Sequence, residues 1–203
     1  MKKVKTRDSS YTYYNEKVGD YYHSLSGARE ESFEKHAKPS KVSELKKGVI
    51  FDICFGLGYN TKAAIELFKG TSLTIYCFEN DREILGKIED PLLTEFLEKG
   101  ELVYNNVKLI LMFGDFRSEI KKVNEKADIV FFDAFDPKKV PELWEESVFK
   151  LIYDKMNSKS VLTTYSYARK VKDNLASAGF TLKDGPIVGR RSPSTIAYKQ
   201  FDL

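Results

Sequence analysis

The chain has 203 residues, 42% hydrophobic and 31% charged, a size that holds one well-buried core and a balance that excludes disordered and fibrous classes. Its net charge is +3: Lys and Arg exceed Asp and Glu by four in residues 1–50 and by four in 166–203, and fall five short between them. No run of about 18 apolar residues exists and the basic N-terminus lacks a hydrophobic signal core, so a soluble, cytoplasmic protein without membrane contact is expected. Basic ends around an acidic centre suit a nucleic-acid substrate; solvated terminal lysines are the alternative reading.

In chain order, residues 1–28 read as an appended piece, with a β-hairpin over 5–14 turning at Asp8-Ser9-Ser10. Ser26-Gly27 then caps a helix over 29–38, which opens the main domain, 29–203. Strands are predicted at 49–54, 73–78, 107–112, 128–132 and 160–165. Helices are predicted at 60–69, 81–87, 92–99, 116–123, 141–155 and 167–178, with Pro141 in a first turn where its missing N–H costs nothing. Two last strands, 180–184 and 195–201, follow without a helix between them. Crossover helices imply a parallel sheet, and the helix-free link implies an antiparallel last strand. The predicted fold is α/β, a Rossmann-like, class I methyltransferase architecture with an N-terminal hairpin extension.

The chemistry concentrates where the first strand runs into Phe55-Gly56-Leu57-Gly58 and a helix opens at Asn60. Glycine is needed where the backbone must turn tightly against a ligand. About 20 residues on, Glu79 ends the next strand, placed to accept hydrogen bonds from two ribose hydroxyls. Thr61 stands where a dinucleotide fingerprint has its third glycine, and the loop carries no cation for a pyrophosphate. That combination points to S-adenosylmethionine (SAM) rather than NAD; an incidental glycine turn is the third reading. Replacing Glu79 is expected to weaken cofactor binding with little effect on folding.

Beyond the third and fourth strands stand Asp115-Phe116 and Asp133-Ala134-Phe135-Asp136. Asp115 with Phe116 suits an adenine pocket, although an aspartate there also serves as a helix N-cap. Asp133 emerges where a transferred methyl group should lie. Tyr11, Tyr13 and Tyr14 offer stacking faces to a base or simply pack the hairpin, and His23 positions a ligand or serves a structural hydrogen bond. Trp144 reads as core. Cys54 and Cys77 lie in neighbouring strands, read as buried free thiols, and have no zinc-ligand spacing; no metal site is expected.

Four stretches resemble the methyltransferase domain of the MnmC family, which completes 5-methylaminomethyl-2-thiouridine at the tRNA wobble position. They are Tyr22-His23-Ser24 with 27–32; Asp52 to Asn60; Asp133-Ala134-Phe135-Asp136-Pro137 with Pro141-Glu142-Leu143-Trp144 and Phe149; and Thr164-Tyr165-Ser166 through Gly179-Phe180 to Gly189-Arg190-Arg191. Two positions depart from the family pattern: Asp136 is acidic, and Arg190-Arg191-Ser192 replaces Lys-Arg-Glu. The resemblance implies N-methylation of 5-aminomethyl(-2-thio)uridine by a stand-alone form without the FAD oxidase domain, its aminomethylated tRNA supplied by a separate pathway. It implies a cofactor site drawn from Glu31, Asp52, Phe55, Gly56, Gly58, Asn60, Glu79, Asp115, Phe116, Asp133 and Phe135, with Asp133 catalytic. Arg190 and Arg191 would hold phosphates of the anticodon stem-loop. The rivals are a spermidine-synthase-like aminopropyltransferase, another small-molecule methyltransferase, and a non-catalytic tRNA-binding protein with a decayed SAM site.

Overall fold

A computed structural model describes residues 1–189 and 191–200. Its centre is an eight-stranded sheet in the order β10-β11-β9-β8-β4-β5-β7-β6. The strands are β4 (Lys47–Ile53), β5 (Ser72–Glu79), β6 (Glu101–Tyr104), β7 (Val107–Phe113), β8 (Ala127–Phe132), β9 (Met156–Thr164), β10 (Thr181–Asp184) and β11 (Thr195–Lys199). Strands β9, β8, β4, β5 and β7 run parallel, and β11 is antiparallel to both β9 and β10. The mostly parallel sheet and the reversed final strand agree with the sequence reading. Strand β6 is an addition to it. It pairs antiparallel with β7 across Asn105-Asn106, where Asn105 takes a left-handed φ of 54°. The Asn-Asn pair between two short apolar runs was the available hairpin signal.

Both faces of the sheet are covered, so the central strands are apolar on both sides. One face carries Phe51, Ile53, Tyr76, Phe78, Val130 and Phe132 against α5 (Phe116–Lys122), α6 (Glu146–Asp154) and α7 (Arg169–Ser177). The other carries Ile50, Ile75, Cys77, Leu109, Ile129 and Phe131 against α2 (Tyr59–Leu67), α4 (Pro91–Lys99) and the 28–37 helix. By the two-residue period Asp52 belongs to this second face, where it is fully buried opposite Cys77 and Phe131. The short α3 (Arg82–Leu85) follows β5.

Two helices depart from the sequence reading. The 28–37 segment starts as α1 (Ala28–Glu31) and widens into a π-helical run, Ser32–Ala37, which turns both Lys35 and His36 inward to 1% exposure. The predicted 141–155 helix is a 3₁₀ turn, Pro141–Leu143, followed by α6. The break falls at Trp144 and Glu145, because the buried Trp144 indole reaches back to donate to the Phe135 carbonyl at 2.9 Å.

The N-terminal segment forms a separate antiparallel sheet of β1 (Lys2–Lys5), β2 (Tyr11–Asn15) and β3 (Asp20–Tyr21). Tyr13 docks it on Leu57 and Ile84, Tyr14 packs edge-on against Tyr21, and Tyr11 stays 40% exposed beneath the Lys3 ammonium. Tyr59 Oη accepts from the Tyr11 N–H and donates to its carbonyl, so the hairpin is tied to the glycine turn.

That turn tolerates no side chain at Gly58. Its φ is 77°, and a Cβ would lie 2.5 Å from Leu93 Cδ1 and 2.7 Å from Phe55 Cζ. Gly58→Ala is therefore expected to destabilise the fold by about 1–3 kcal/mol through backbone strain and overpacking, read as a lower denaturation midpoint with an unchanged slope.

Candidate active site

The carboxyl ends of the parallel strands open on two adjoining cavities. The larger, about 410 Å³, is lined by Gly56 and Cys54 from the glycine turn, Phe78 to Asp81 after β5, Gly114 to Arg117 after β7, and Asp133, Phe135, Val140 and Leu143. The smaller, about 160 Å³, is lined by Asp20, Tyr21, Tyr22, His23, Ser24, Glu31, Asp133 to Asp136 and Tyr165. Tyr22, His23, Asp133 and Phe135 face both.

Glu79 builds the floor of the larger cavity. Its Oε2 accepts the Gly56 N–H at 2.8 Å, and its Oε1 accepts those of Asn80 and Asp81, each at 2.8 Å. Burial raises its pKa, and these backbone donors pull the other way. Three of the four lone-pair positions on the carboxylate are thus taken, leaving one on Oε2. Asp115 is both a cap and a partner: it accepts from the Arg117 N–H at 2.9 Å and from the Arg117 guanidinium at 2.5–3.0 Å, which lowers its pKa.

The roof comes from the N-terminal segment. Tyr22 Oη donates to Asp81 Oδ2 at 2.5 Å, and burial with this carboxylate pushes the phenol's pKa well above its usual value. Its ring meets Phe135 edge-on at 4.8 Å, and Asn15 Nδ2 donates to the same Oη.

Asp133 stands in the shared wall with its side chain 12% exposed. Asn60 Nδ2 donates to its Oδ2 at 3.0 Å, and His23 Nδ1 and His36 Nε2 both lie 3.8 Å from that oxygen. His36 is held on its other side by Thr163 Oγ1 at 3.2 Å, and burial lowers its pKa, so the imidazole is neutral near pH 7. Glu31 faces the smaller cavity rather than the larger; its Oε2 accepts the Ser24 N–H and its Oε1 pairs with the buried Lys35 ammonium at 2.5 Å.

Of the residues singled out in the sequence, Gly56, Glu79, Asp115, Phe116, Asp133 and Phe135 meet in the larger cavity. Asp52, Phe55, Gly58 and Asn60 lie behind the glycine turn, where they shape it. Arg191 is exposed, and Arg190 lies outside the described residues. Sequence reasoning missed Asn15, Asp81 and His36. The first two join in space only when the hairpin folds over β5, and a lone histidine in a helix carries no spacing signal. Cys54 and Cys77 are free thiols, and among the described residues no group of His, Cys, Asp and Glu is placed to hold a metal.

A profile of the S-adenosyl-L-methionine-dependent methyltransferase family matches residues 82–200. A solved structure of MnmC2 from Aquifex aeolicus is 34% identical, covers 97% of this chain and 69% of its own, and superposes with a TM-score of 0.83. The chain belongs to this methyltransferase family, in the branch of the MnmC methyltransferase domain. An uncharacterized protein of Methanocaldococcus jannaschii is 33% identical over 97% of this chain and 59% of its own length. The bifunctional tRNA 5-methylaminomethyl-2-thiouridine biosynthesis protein MnmC of Campylobacter hominis is 28% identical over 85% of this chain and 29% of its own. The methyltransferase chain thus spans under two thirds of these curated relatives. Spermidine synthase of Thermotoga maritima, 12% identical with a TM-score of 0.60, shares the fold alone.

The larger cavity fits the cofactor that the family name implies. Its volume lies in the range of small-molecule sites, about 300–1,000 Å³. Gly56, with a φ of 56°, leaves its face open: a Cβ would meet nothing closer than Tyr22 Cδ1 at 3.5 Å. Phe78, Phe116 and Leu143 supply apolar walls for a base, and Glu79 keeps its one open lone pair for a hydroxyl.

The three N–H groups on Glu79 revise the expectation that its loss leaves folding intact. Glu79→Ala should cost about 2–4 kcal/mol of stability, because buried donors are left unpaired. Glu79→Gln should recover about half of that by keeping one acceptor oxygen. Thermal and urea denaturation without cofactor provide the measurement.

Proposed function

We propose that this chain is a SAM-dependent methyltransferase acting on a primary amine, and that the amine is the aminomethyl group of 5-aminomethyl(-2-thio)uridine at the wobble position of tRNA. The observation that carries the reading is the wall shared by the two cavities, with Asp133 in it. A cofactor-sized cavity lies on one side, and on the other a small cavity lined by four carboxylates, Asp20, Glu31, Asp133 and Asp136, with aromatic Tyr21, Tyr22, Phe135 and Tyr165. Carboxylates and π faces attract an ammonium group, and of the four only Glu31 has a buried cationic partner among the described residues.

In this reading SAM, when bound, supplies a methyl group already activated by its sulfonium. The residues of the chain align the acceptor, exclude water and take up a proton. An ammonium has no lone pair, so the amine must lose a proton to form the new bond. Asp133 orients the amine and accepts that proton during or after transfer, because a carboxylate beside an amine favours its protonated form beforehand. Asn60 and the two imidazoles fix Oδ2. Trp144 holds the Phe135 carbonyl, and with it the turn that carries Asp133.

The tRNA part of the reading is supported by the relatives' printed names and by charge at the rim. The 185–194 loop reaches the mouth of the smaller cavity: at Gly189 a Cβ would lie 2.2 Å from Ser26 Oγ and 3.8 Å from Glu31 Oε1. Arg191 follows two residues on, and Lys2, Lys3 and Lys5 edge the hairpin. A second reading, group transfer to a polyamine, draws on the same four carboxylates and has no use for the basic rim.

Incubation with SAM and aminomethylated tRNA, followed by mass spectrometry of the nucleosides, tests the reaction; methyl incorporation into free polyamine alone would replace tRNA as the substrate. In that assay Asp133→Asn should lower single-turnover rates by about 10²–10⁴-fold, the worth of a positioned proton acceptor. SAM affinity, followed by calorimetry, should stay within about threefold. Arg191→Glu should weaken tRNA binding for every sequence and flatten the plot of log affinity against log salt by about 0.7–0.9 for each lost phosphate contact. Filter binding over a salt series reads both, and an unchanged slope would remove this loop from the interface.

A further inference from the structure

Behind the glycine turn one amide lies between two carboxyl groups. Asn60 Nδ2 donates to Asp133 Oδ2 at 3.0 Å, and the Asn60 side chain is also within hydrogen-bonding range of Asp52. Asp52 Oδ2 is accounted for by Thr61 Oγ1 at 2.7 Å. Asp52 Oδ1 and Asn60 Oδ1 are both buried and both without a hydrogen-bond partner. An amide has a donor end and an acceptor end. If both carboxyls were ionised, one of them would face the amide oxygen, and flipping the amide would only move that clash to the other. A proton on one carboxyl removes it.

We propose that Asp52 is a positioning residue of the methyl-transfer site and works as an un-ionised carboxylic acid, its Oδ1–H donating to Asn60 Oδ1 so that Nδ2 is presented to Asp133. For the role of Asp133 this rests on the amine-methylation reading. Asp52 rather than Asp133 carries the proton because it is fully buried at a core position of β4, whereas Asp133 faces two cavities. The surroundings of Asp52 contain no cation that would hold it ionised among the described residues that face it. Strand β5 presents the Cys77 thiol, β8 presents Phe131, and α2 presents Asn60 and Thr61. Its own strand leads to Cys54, and both thiols are kept neutral by burial. His36, which leans on Phe131 and Thr163, is neutral for the same reason, so Asp133 is the one charge acting on it. Burial first, opposed by the Thr61 hydroxyl and reinforced by Asp133, pushes the Asp52 carboxyl up to about 7.

The sign of the linkage follows. An unfolded aspartate ionises near about 3.9, so the folded protein holds a proton that the unfolded chain releases, and stability falls as pH rises from about 4 to about 7. Asp52→Asn, which keeps an N–H donor toward Asn60, should remove that fall, leaving the variant more stable than the parent above about pH 7. Infrared difference spectra of the cofactor-free protein at about pH 6 should contain a protonated-carboxyl band that fades as pH rises through 7 and is absent from Asp52→Asn. The Asn60 side-chain amide resonances should shift over the same pH range in the parent and stay fixed in Asp52→Asn.

In the methylation assay Asp52→Asn should turn over within about threefold of the parent, and Asp52→Ala should lose about tenfold or more, with SAM affinity held in both. The ratio of Asp52→Asn to parent turnover should rise with pH, a readout that a purely structural role would not move. An Asp52 that absorbs as a carboxylate at about pH 6, or amide resonances blind to its titration, overturns the proposal. So does an Asp52→Asn variant as slow as Asp52→Ala. Absence of methyl transfer from every form, parent included, refutes the assigned reaction and with it the positioning role, while the infrared and resonance measurements still decide whether Asp52 is protonated.

Discussion

The structure hangs on a buried carboxylate, Glu79, that three backbone N–H groups share. Because Oε2 takes the Gly56 N–H and Oε1 takes those of Asn80 and Asp81, the end of β5 fixes the glycine turn of β4 without any side chain crossing the cavity. Turn and strand end are each irregular: Cys54 and Gly56 both hold positive φ. An L-residue in that region costs about 1–3 kcal/mol, which persists only where the surroundings over-determine it. Here Phe55 N–H to the Phe78 carbonyl and Gly58 N–H to the Phe55 carbonyl, with the Glu79 contacts, supply that determination. The cavity floor is consequently rigid backbone, and the side chains around it remain available for recognition.

A row of polar groups runs across one face of the sheet at the same level: Cys77, Asp52, then Thr163 beyond Phe131, capped by Thr61 from α2 and His36 from the π-helical run. Burying polar groups in a core is costly unless each finds a partner, and a half-satisfied network is worse than an apolar one. Most of this row is satisfied, and it ends at Asp133 in the cavity wall through Asn60 and His36. The stability given up in the core therefore goes into the orientation of a group at the surface.

The fold was legible because its signals are local and repeated. Every central strand is a short apolar run ended by a turn or a carboxylate, and each crossover helix has its own period, so the parallel sheet and reversed last strand follow from the sequence. Within the site, Gly56, Glu79 and Asp133 were legible for the same reason: they stand at strand ends, where an open α/β sheet puts its ligands. The rest was not, because it depends on long-range docking. Tyr22 meets Asp81 across 59 residues and His36 meets Thr163 across 127. The break at Trp144 depends on what its indole finds in space. Asp52 reads in the sequence as one more acidic residue near a glycine turn; only the β4 register turns it into the core.

The two cavities also differ in where their walls come from. The larger is made chiefly from strand ends of the sheet, the part of the molecule that superposes on distant relatives such as spermidine synthase. The smaller takes half its lining from residues 20–31, outside the sheet. Its charges sit on the short strand β3 and on α1, and the widened turn that follows buries Lys35 against Glu31. An ammonium pocket therefore sits on segments that can change without disturbing the parallel core. Asp133 belongs to both sets, since its backbone N–H bonds to Ile53 of the core while its carboxylate faces the N-terminal segment. A single strand-end residue thus couples a conserved kind of scaffold to a variable acceptor wall, which is why the choice of acceptor is read from the first 31 residues rather than from the sheet.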